Sequence, residues 1–268
     1  VSTDRRAVLR GAGAAFAALL AASRGGQALA QVDGPATPPY GPLQKDPAAL
    51  LDLPQGFSYR VLSRFGDAMD DGGTVPDRAD GMGCFALPGG KLALVRNHEL
   101  RIGHEAGGTL QSGYDRHLAG PVLPGGTTTL VLDAATLKVE RQFRSLAGTI
   151  RNCAGGVTPW GTWLTCEEDM TRAGDKVGQD HGWIFEVPAG ATGQVEAVPL
   201  KAMGRFNHEA AAVDPATGIV YLTEDREDGL LYRFIPKVPG KLAEGGTLEA
   251  LALLRNAATD SRNWQGQT

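Results

Sequence analysis

Short stretches of alternating hydrophobic and polar residues, separated by turns that carry Gly and Pro, run along most of the chain after residue 56. The first β-rich stretch covers residues 57–63, and residues 83–87 and 91–96 then flank a turn at residues 88–90. Alternation with a period of two, bounded by such turns, is typical of antiparallel β-hairpins. The sequence therefore predicts an all-β protein.

An arrangement of two consecutive hairpins recurs three times, over about residues 80–146, 151–201 and 205–254. Each unit has four short antiparallel strands, which is the layout of a β-propeller blade with longer loops than the shortest repeats have, whereas a sandwich would show seven or more strands without this recurrence. We therefore predict a partial β-propeller domain in residues 57–268. Because about four to eight blades close a propeller, we expect the chain to be a fragment, with residues 261–268 beginning the next blade.

The first 30 residues predict an export signal rather than part of the fold. Arg5 and Arg6 precede an uncharged run at residues 11–23, which is shorter than the roughly 18–20 residues needed to span a bilayer. Residues 28–30, Ala-Leu-Ala, are typical of a cleavage site. Together these features indicate export of a folded protein by the twin-arginine machinery, with a membrane anchor and an ordinary secretory signal as alternatives. We expect a periplasmic or secreted protein, without stable membrane insertion after cleavage, that begins with an irregular lead-in at residues 31–56.

The composition supports a folded, acidic protein. Hydrophobic residues make up 42% of the chain and charged residues 21%, which is enough apolar material for a core and argues against disorder. The net charge is −4, and it becomes −7 without residues 1–30, since these carry four Arg and one Asp. No basic tail is present, so a nucleic-acid partner is excluded. The net negative charge of residues 31–268 indicates that the protein binds cations.

Acidic residues recur at one position of the predicted repeat. The second strand of each leading hairpin ends in acid, at Glu99, Glu168 and Asp225. The partner strands begin at the same edge, and we expect all of these residues to gather at one end of the propeller axis. The residues of the partner strands are Asp80, Cys153 and Glu209. Converging carboxylates repel one another unless cations neutralise them, which favours Ca²⁺, Mg²⁺, Mn²⁺ or Fe³⁺; the alternative is that each acid caps a strand at the surface.

The cysteines and histidines leave further alternatives open. Counting back from the turn at residues 158–161 places Cys153 opposite Cys166, so this pair either forms a disulfide in the exported protein or leaves Cys153 as a thiolate ligand. We expect Cys84 in the core. Two histidines precede acids and are expected to orient ligands, and the other three to lie at the surface or in loops. The first two are His98 and His208, and the others are His104, His117 and His181.

Several segments resemble the PhoX-type alkaline phosphatases. The most specific is residues 152–168, Asn-Cys-Ala-Gly-Gly-Val-Thr-Pro-Trp-Gly-Thr-Trp-Leu-Thr-Cys-Glu-Glu. Residues 96–99, 204–209 and 221–225 are similar to further segments of that family, as is the twin-arginine leader. The resemblance is good over about residues 80–234.

The resemblance implies a six-bladed propeller that holds ferric iron and calcium ions, bridged by an oxo group, and hydrolyses phosphate monoesters in the periplasm. It implies that Cys153 and Glu209 bind iron. It also implies that further carboxylates are shared between iron and calcium, namely those of Glu99, Glu168 and Asp225. The family takes other site residues from later blades, so we expect the 268-residue chain alone to hold an incomplete, inactive site.

Arginines near the expected ligands could bind a phosphate group through paired N–H donors. Arg151 and Arg205 are the candidate catalytic residues, and Arg96 is a third arginine close to the ligands in sequence. The alternative is that these arginines are solvated or paired with acids. We expect a monomer that acts on a small phosphate ester. The rival functions are a calcium-dependent propeller lactonase or esterase, and a metal-stabilised binding propeller without catalysis.

Replacing both Arg5 and Arg6 with Lys should leave the precursor in the cytoplasm, because the twin-arginine route depends on the arginine pair. Immunoblots of cell fractions measure the precursor and the processed protein. Arg24→Lys, which lies outside the pair, is the matched control and should be exported normally. Normal export of the double variant would contradict the predicted signal.

Overall fold

The computed structural model describes residues 39–118, 120–174 and 176–254. The predicted export signal, residues 31–38 of the lead-in and residues 255–268 lie outside these described residues. The chain divides into two compact units at residues 60 and 61. In the described part, no helix is long and apolar enough to cross a membrane.

The first unit is ordered around one carboxylate. Strands β1 (Leu43–Gln44) and β2 (Leu53–Pro54) pair antiparallel. Between them, the Asp46 carboxylate accepts hydrogen bonds from three backbone N–H groups, and also from the Tyr59 hydroxyl at 2.6 Å. The Tyr59 hydrogen bond, followed by those of the backbone, holds the pKa of Asp46 well below its usual range. Residues 57–63, predicted to be β-rich, form no strand; Phe57 instead packs against Tyr40, and Tyr59 is held by Asp46.

Three antiparallel sheets make up the described part of the second unit. The first sheet contains β3 (Ala79–Leu87), β4 (Lys91–His98), β5 (Gly125–Asp133) and β6 (Val139–Thr149). The second contains β7 (Asn152–Val157), β8 (Thr162–Glu167) and β9 (Ile184–Pro188). The third contains β10 (His208–Val213), β11 (Val220–Glu224), β12 (Leu231–Pro236) and β13 (Gly246–Ala250). Short 3-10 helices lie at Lys201–Met203 and Leu242–Glu244. In each sheet the strands follow chain order, and this confirms the prediction of an all-β fold built from propeller blades.

The second sheet has three described strands rather than the four predicted. Residues 195–201 do not form the expected outer strand, and they meet the sheet only where Phe185 bridges to Pro199 and where Leu200 donates a backbone hydrogen bond to Ile184. Proline has no N–H to donate to a ladder, and the 3-10 helix Lys201–Met203 follows at once. Proline and this helical turn therefore end the pairing.

The three sheets pack side by side in chain order, with β7 beside β3 on one side and beside β10 on the other. Because successive strand residues point to opposite faces, β8 supplies both cores: Trp163 packs towards the first sheet and Leu164 towards the third. The core between the first and second sheets includes Phe85, Val95, Leu146, Phe185 and Val187. The core between the second and third includes Cys166, Ile184, Phe206, Leu222 and Phe234.

Two glycines allow β7 to approach its neighbours. A Cβ atom on Gly156 would lie 2.0 Å from the carbonyl oxygen of Ala211 in β10, and one on Gly155 would lie 1.9 Å from that of Leu164 in β8. Backbone atoms cannot move away as a flexible side chain could. The spacing of the inner strands therefore requires residues without side chains at both positions.

Gly156→Ala should lower the free energy of unfolding by about 1–3 kcal/mol or more, because the added methyl group overpacks the contact between β7 and β10. Gly190→Ala is the matched control, since no atom lies within 4 Å of its Cβ position, and it should change stability by less than about 0.5 kcal/mol. Urea unfolding of both variants measures the difference. Equal stabilities would contradict the close approach.

Candidate metal centre

One thiol and two carboxylates converge at the inner strand ends of the second and third sheets. Cys153 is the second residue of β7, Glu168 directly follows β8, and Glu209 is the second residue of β10. One ligand atom from each lies within 4.8 Å of the others, and the Cys153 thiol donates to Glu209 Oε1 at 3.6 Å. The structure thus brings together three of the five residues that the sequence predicts as metal ligands.

A β-bulge at the same place in all three sheets presents these side chains. Regular pairing is interrupted directly after the first residue of β3, β7 and β10, at Ala79, Asn152 and His208. The residue that follows is in turn Asp80, Cys153 and Glu209. A bulge leaves its extra residue out of the ladder and turns its side chain to a new direction. The repeated bulge therefore explains why the second residue of each inner strand points to one site.

The bulge also decides between the two alternatives for Cys153. Asn152 pairs with Glu167, and regular pairing resumes only at Gly155, so Cys153 is not held opposite Cys166 as predicted. Cys166 is buried in the core, and none of the three cysteines, all within the described residues, forms a disulfide. The disulfide alternative is therefore wrong.

Arg151 connects two of the predicted ligands. Its Nε donates to Glu99 Oε1 at 2.8 Å, its Nη2 lies 3.0 Å from Glu168 Oε2, and its Nη1 donates to the Glu168 carbonyl oxygen at 3.0 Å. Glu99 therefore joins the cluster through the guanidinium group rather than by direct contact. The sequence placed Arg151 at this site, and the structure has it there.

Asp225 and Asp80 border the cluster. Asp225 follows β11 and hydrogen-bonds Glu168 through its side chain, while its backbone N–H donates to Asn207. Asp80 lies near Cys153, and its charge helps to raise the pKa of that thiol. The sequence placed Asp80 at this edge, because it occupies the same position of the repeat as Cys153 and Glu209. The ligand set implied by the resemblance leaves Asp80 out.

Burial and mutual repulsion make the cluster retain protons. Burial, the hydrogen bond with Asp225 and the charge of Glu209 raise the pKa of Glu168 to about 7, although Arg151 opposes the shift. Burial, followed by the nearby charges of Asp225 and Asp80, raises the pKa of Glu209. Burial, followed by the charges of Glu209 and Asp80, holds the pKa of the Cys153 thiol well above its ordinary value. A cation bound among these groups would take the place of the protons, so the donor set fits a metal ion.

The other two arginines make contacts away from the ligands. Arg205 donates from Nη2 to the carbonyl oxygens of Met170 at 2.6 Å and Thr171 at 3.2 Å, and so holds the loop that follows β8. Arg96 donates to the hydroxyl group of Ser63 and to that of Thr128 in β5. The structure does not bring either guanidinium group to the cluster.

The histidines that precede acids do not orient ligands as predicted. His98 hydrogen-bonds the Asp77 carbonyl oxygen and the Thr128 hydroxyl, and His208 hydrogen-bonds the Gly204 carbonyl oxygen. Burial lowers the pKa of His98 to about 3 and that of His208 to about 4, so both are neutral. They serve the packing of their own sheets.

The sequence missed a buried histidine and misplaced one cysteine. His181, expected at the surface or in a loop, does lie in the loop before β9, but it is fully buried there between Glu167 and Asp115. The only sequence signal for its burial is its hydrogen-bond partner Glu167, the acid that ends a buried strand directly before Glu168. Cys84, expected in the core, is exposed, because it lies on the edge strand β3 and the neighbouring Phe85 takes the core-facing side.

Comparison with solved structures finds the same fold in PhoX of Pseudomonas fluorescens, a structure in complex with vanadate, a transition state analogue. The TM-score is 0.53 at 20% sequence identity, and the match covers 74% of this chain and 52% of that chain. The chain thus spans about half the length of that protein. No curated protein matches.

The family model described as Alkaline phosphatase PhoX matches residues 38–134 and 103–266. The two matches overlap and together extend over most of the chain, including all three sheets and the whole candidate metal centre. The chain therefore belongs to the PhoX alkaline phosphatase family.

Proposed function

We propose that the full-length protein is a metal-dependent phosphomonoesterase acting on small phosphate esters. The observation that carries this proposal is the convergence of Cys153, Glu168 and Glu209 beside the guanidinium group of Arg151. Membership of the PhoX family and the likeness to a PhoX structure that binds vanadate support it. Because the chain spans about half of that structure, the activity belongs to the whole protein, and we expect the 268 residues alone to be inactive.

The metals of this proposal are Fe³⁺ and Ca²⁺. A thiolate together with carboxylates gives a highly anionic donor set, which suits a trivalent ion, whereas carboxylates alone suit Ca²⁺. Cys153 and Glu209 would hold the iron. Glu168, Glu99 and Asp225 would be shared between iron and calcium.

When bound, the cations would attract the phosphate oxygens and stabilise the charge that develops in the transition state. Arg151 now directs its N–H groups at Glu99 and Glu168. With Glu99 and Glu168 engaged as ligands, the guanidinium group of Arg151 would be able to donate to phosphate oxygens. Arg151 thus orients the ester, and its pairing with the acids holds the side chain at the site before substrate binds.

Arg205 stays a prediction as a second phosphate-binding residue. To reach a phosphate it would have to leave the carbonyl oxygens of Met170 and Thr171. In its present position Arg205 holds the loop that begins after Glu168, and it thereby supports Glu168 itself. We also propose a monomer that is exported by the twin-arginine machinery to the periplasm or the medium.

Cys153→Ser and Glu209→Gln should each lower phosphatase activity of the full-length protein by at least about 100-fold without unfolding it, because each removes an anionic ligand. Turnover of p-nitrophenyl phosphate is measured together with iron and calcium content and circular dichroism. Cys84→Ser and Glu196→Gln are the matched controls, since both side chains are exposed outside the cluster.

Full activity of Cys153→Ser would contradict the metal centre. Turnover of lactones but not of phosphate esters, with calcium as the metal, would favour the propeller lactonase instead. Absence of both iron and calcium from the active protein would contradict the proposed cofactors.

Without metal, the chain should lose stability as the pH rises from about 4.5 to about 7. The pKa of Glu168 is raised from 4.5 to about 7 in the folded state, so the folded chain binds this proton more tightly than the unfolded chain does, and the free energy of unfolding falls over that interval. Glu168→Gln should flatten this part of the profile in urea unfolding with chelator present, while Glu196→Gln should leave it unchanged. Adding Ca²⁺ to the wild type should oppose the loss; a flat wild-type profile would count against the buried carboxyl.

A further inference from the structure

We propose that His181 is a positioning residue of the metal centre, acting through Glu167 on the turn that carries Arg151 and on the adjoining ligand Glu168. The inference rests on the proposed function for the metal itself. The hydrogen bonds that carry it are present in the metal-free chain and can be tested there.

His181 is fully buried and is held from both sides. Its Nδ1 lies 2.7 Å from Glu167 Oε1 and its Nε2 lies 3.1 Å from Asp115 Oδ2. Both carboxylates are also buried, and the imidazole can donate to both of them only when it carries a proton on each nitrogen. Burial opposes this charge, but the hydrogen bonds and charges of Glu167 and Asp115 prevail and raise the pKa of His181.

The Glu167 carboxylate holds the chain on both sides of the site. Its Oε1 also accepts a hydrogen bond from the Ile150 N–H at 2.9 Å, directly before Arg151. Its Oε2 accepts from the N–H groups of Gly182 at 2.9 Å and Trp183 at 3.1 Å, directly after His181. One side chain therefore ties the turn between β6 and β7 to the loop that leads into β9.

Arg151 needs this support because its backbone is strained. Its φ of 52° lies in the left-handed region, which a non-glycine residue keeps only when its surroundings hold it there. Its N–H donates to the Leu100 carbonyl oxygen at 2.8 Å, and its own carbonyl oxygen accepts from the Glu168 N–H at 3.0 Å. The turn and Glu168 are thus coupled through the backbone. The hydrogen bond from the Ile150 N–H to Glu167 holds the residue directly before Arg151.

Asp115 extends the same hydrogen-bond network to a third segment. Its Oδ1 accepts from Gly178 at 3.2 Å and its Oδ2 from Gln179 at 2.8 Å, while its backbone N–H donates to Gly148 at 3.0 Å. His181 therefore lies where three connecting segments meet, and Glu167 is the one step between it and the Arg151 turn. Removing the imidazole would leave both carboxylates without their shared donor and would leave Glu167 held by its backbone donors alone.

The test compares His181→Gln with Val187→Ala. Gln can donate to one of the two carboxylates but cannot bridge both, whereas Val187→Ala weakens the core at the far end of β9 without touching the network. Co²⁺ is titrated into the metal-free full-length protein, and the thiolate-to-cobalt absorption band reports binding at Cys153. Hydrogen exchange of the Ile150 amide, measured without metal, reports the turn itself.

We expect His181→Gln to raise the Kd for Co²⁺ by about 10–100-fold, the range typical of residues that orient metal ligands, and to speed exchange at Ile150. Val187→Ala should lower the melting temperature and leave the Kd within about twofold of the wild type. Equal Kd values in the two variants, or unchanged exchange at Ile150 in His181→Gln, would overturn the role of His181 and leave the metal centre standing. A wild type without a thiolate band would instead overturn the metal centre and the proposed function.

If His181→Gln does not fold, Asp115→Asn decides by the same two measurements. This variant keeps the bond between His181 and Glu167 but removes the second charge. A smaller rise in Kd with faster exchange at Ile150 supports the inference, and unchanged values overturn it.

Discussion

Repulsion among converging acids is the constraint on which this part of the molecule depends. Six inner strand ends deliver one thiol and five carboxylates to one edge of the sheets, and the pKa values of Cys153, Glu168 and Glu209 are raised by burial and by the charges of their neighbours. Arg151 supplies one positive charge to this group. The remaining repulsion is relieved either by protons or by bound cations, and only cations are compatible with ionised ligands.

Two adjacent glutamates meet this constraint in opposite ways. Glu167 is surrounded by donors, namely three backbone N–H groups and His181, so its carboxylate is satisfied without metal. Among the described residues, Arg151 is the one cation paired with Glu168, which otherwise faces other acids, so its oxygens can accept a bound cation. Because neighbouring strand residues point to opposite faces, the end of β8 can place a structural carboxylate and a ligand carboxylate side by side in sequence.

The features that follow from local patterns were predictable from the sequence. Period-two alternation and turn residues predicted the hairpins. The recurrence of acids at strand ends predicted that Glu168 and Glu209 lie close together. The bulge beside Cys153 was not predictable, because counting residues from a turn assumes an unbroken ladder. The burial of His181 was not predictable either, since it depends on Asp115, which is 66 residues away in the chain, and no repeat position connects the two.

The geometry of the centre also depends on a residue without a side chain in the inner strand β7. Cys153 and Glu209 come from different sheets, and their contact requires β7 and β10 to run closer than strands with side chains at the interface would permit. Gly156 provides that approach against the backbone of Ala211, while the bulges turn the ligand side chains out of their ladders. The proposed ligands would supply the chemistry, but Gly156 and the irregular pairing determine whether their atoms can reach one ion.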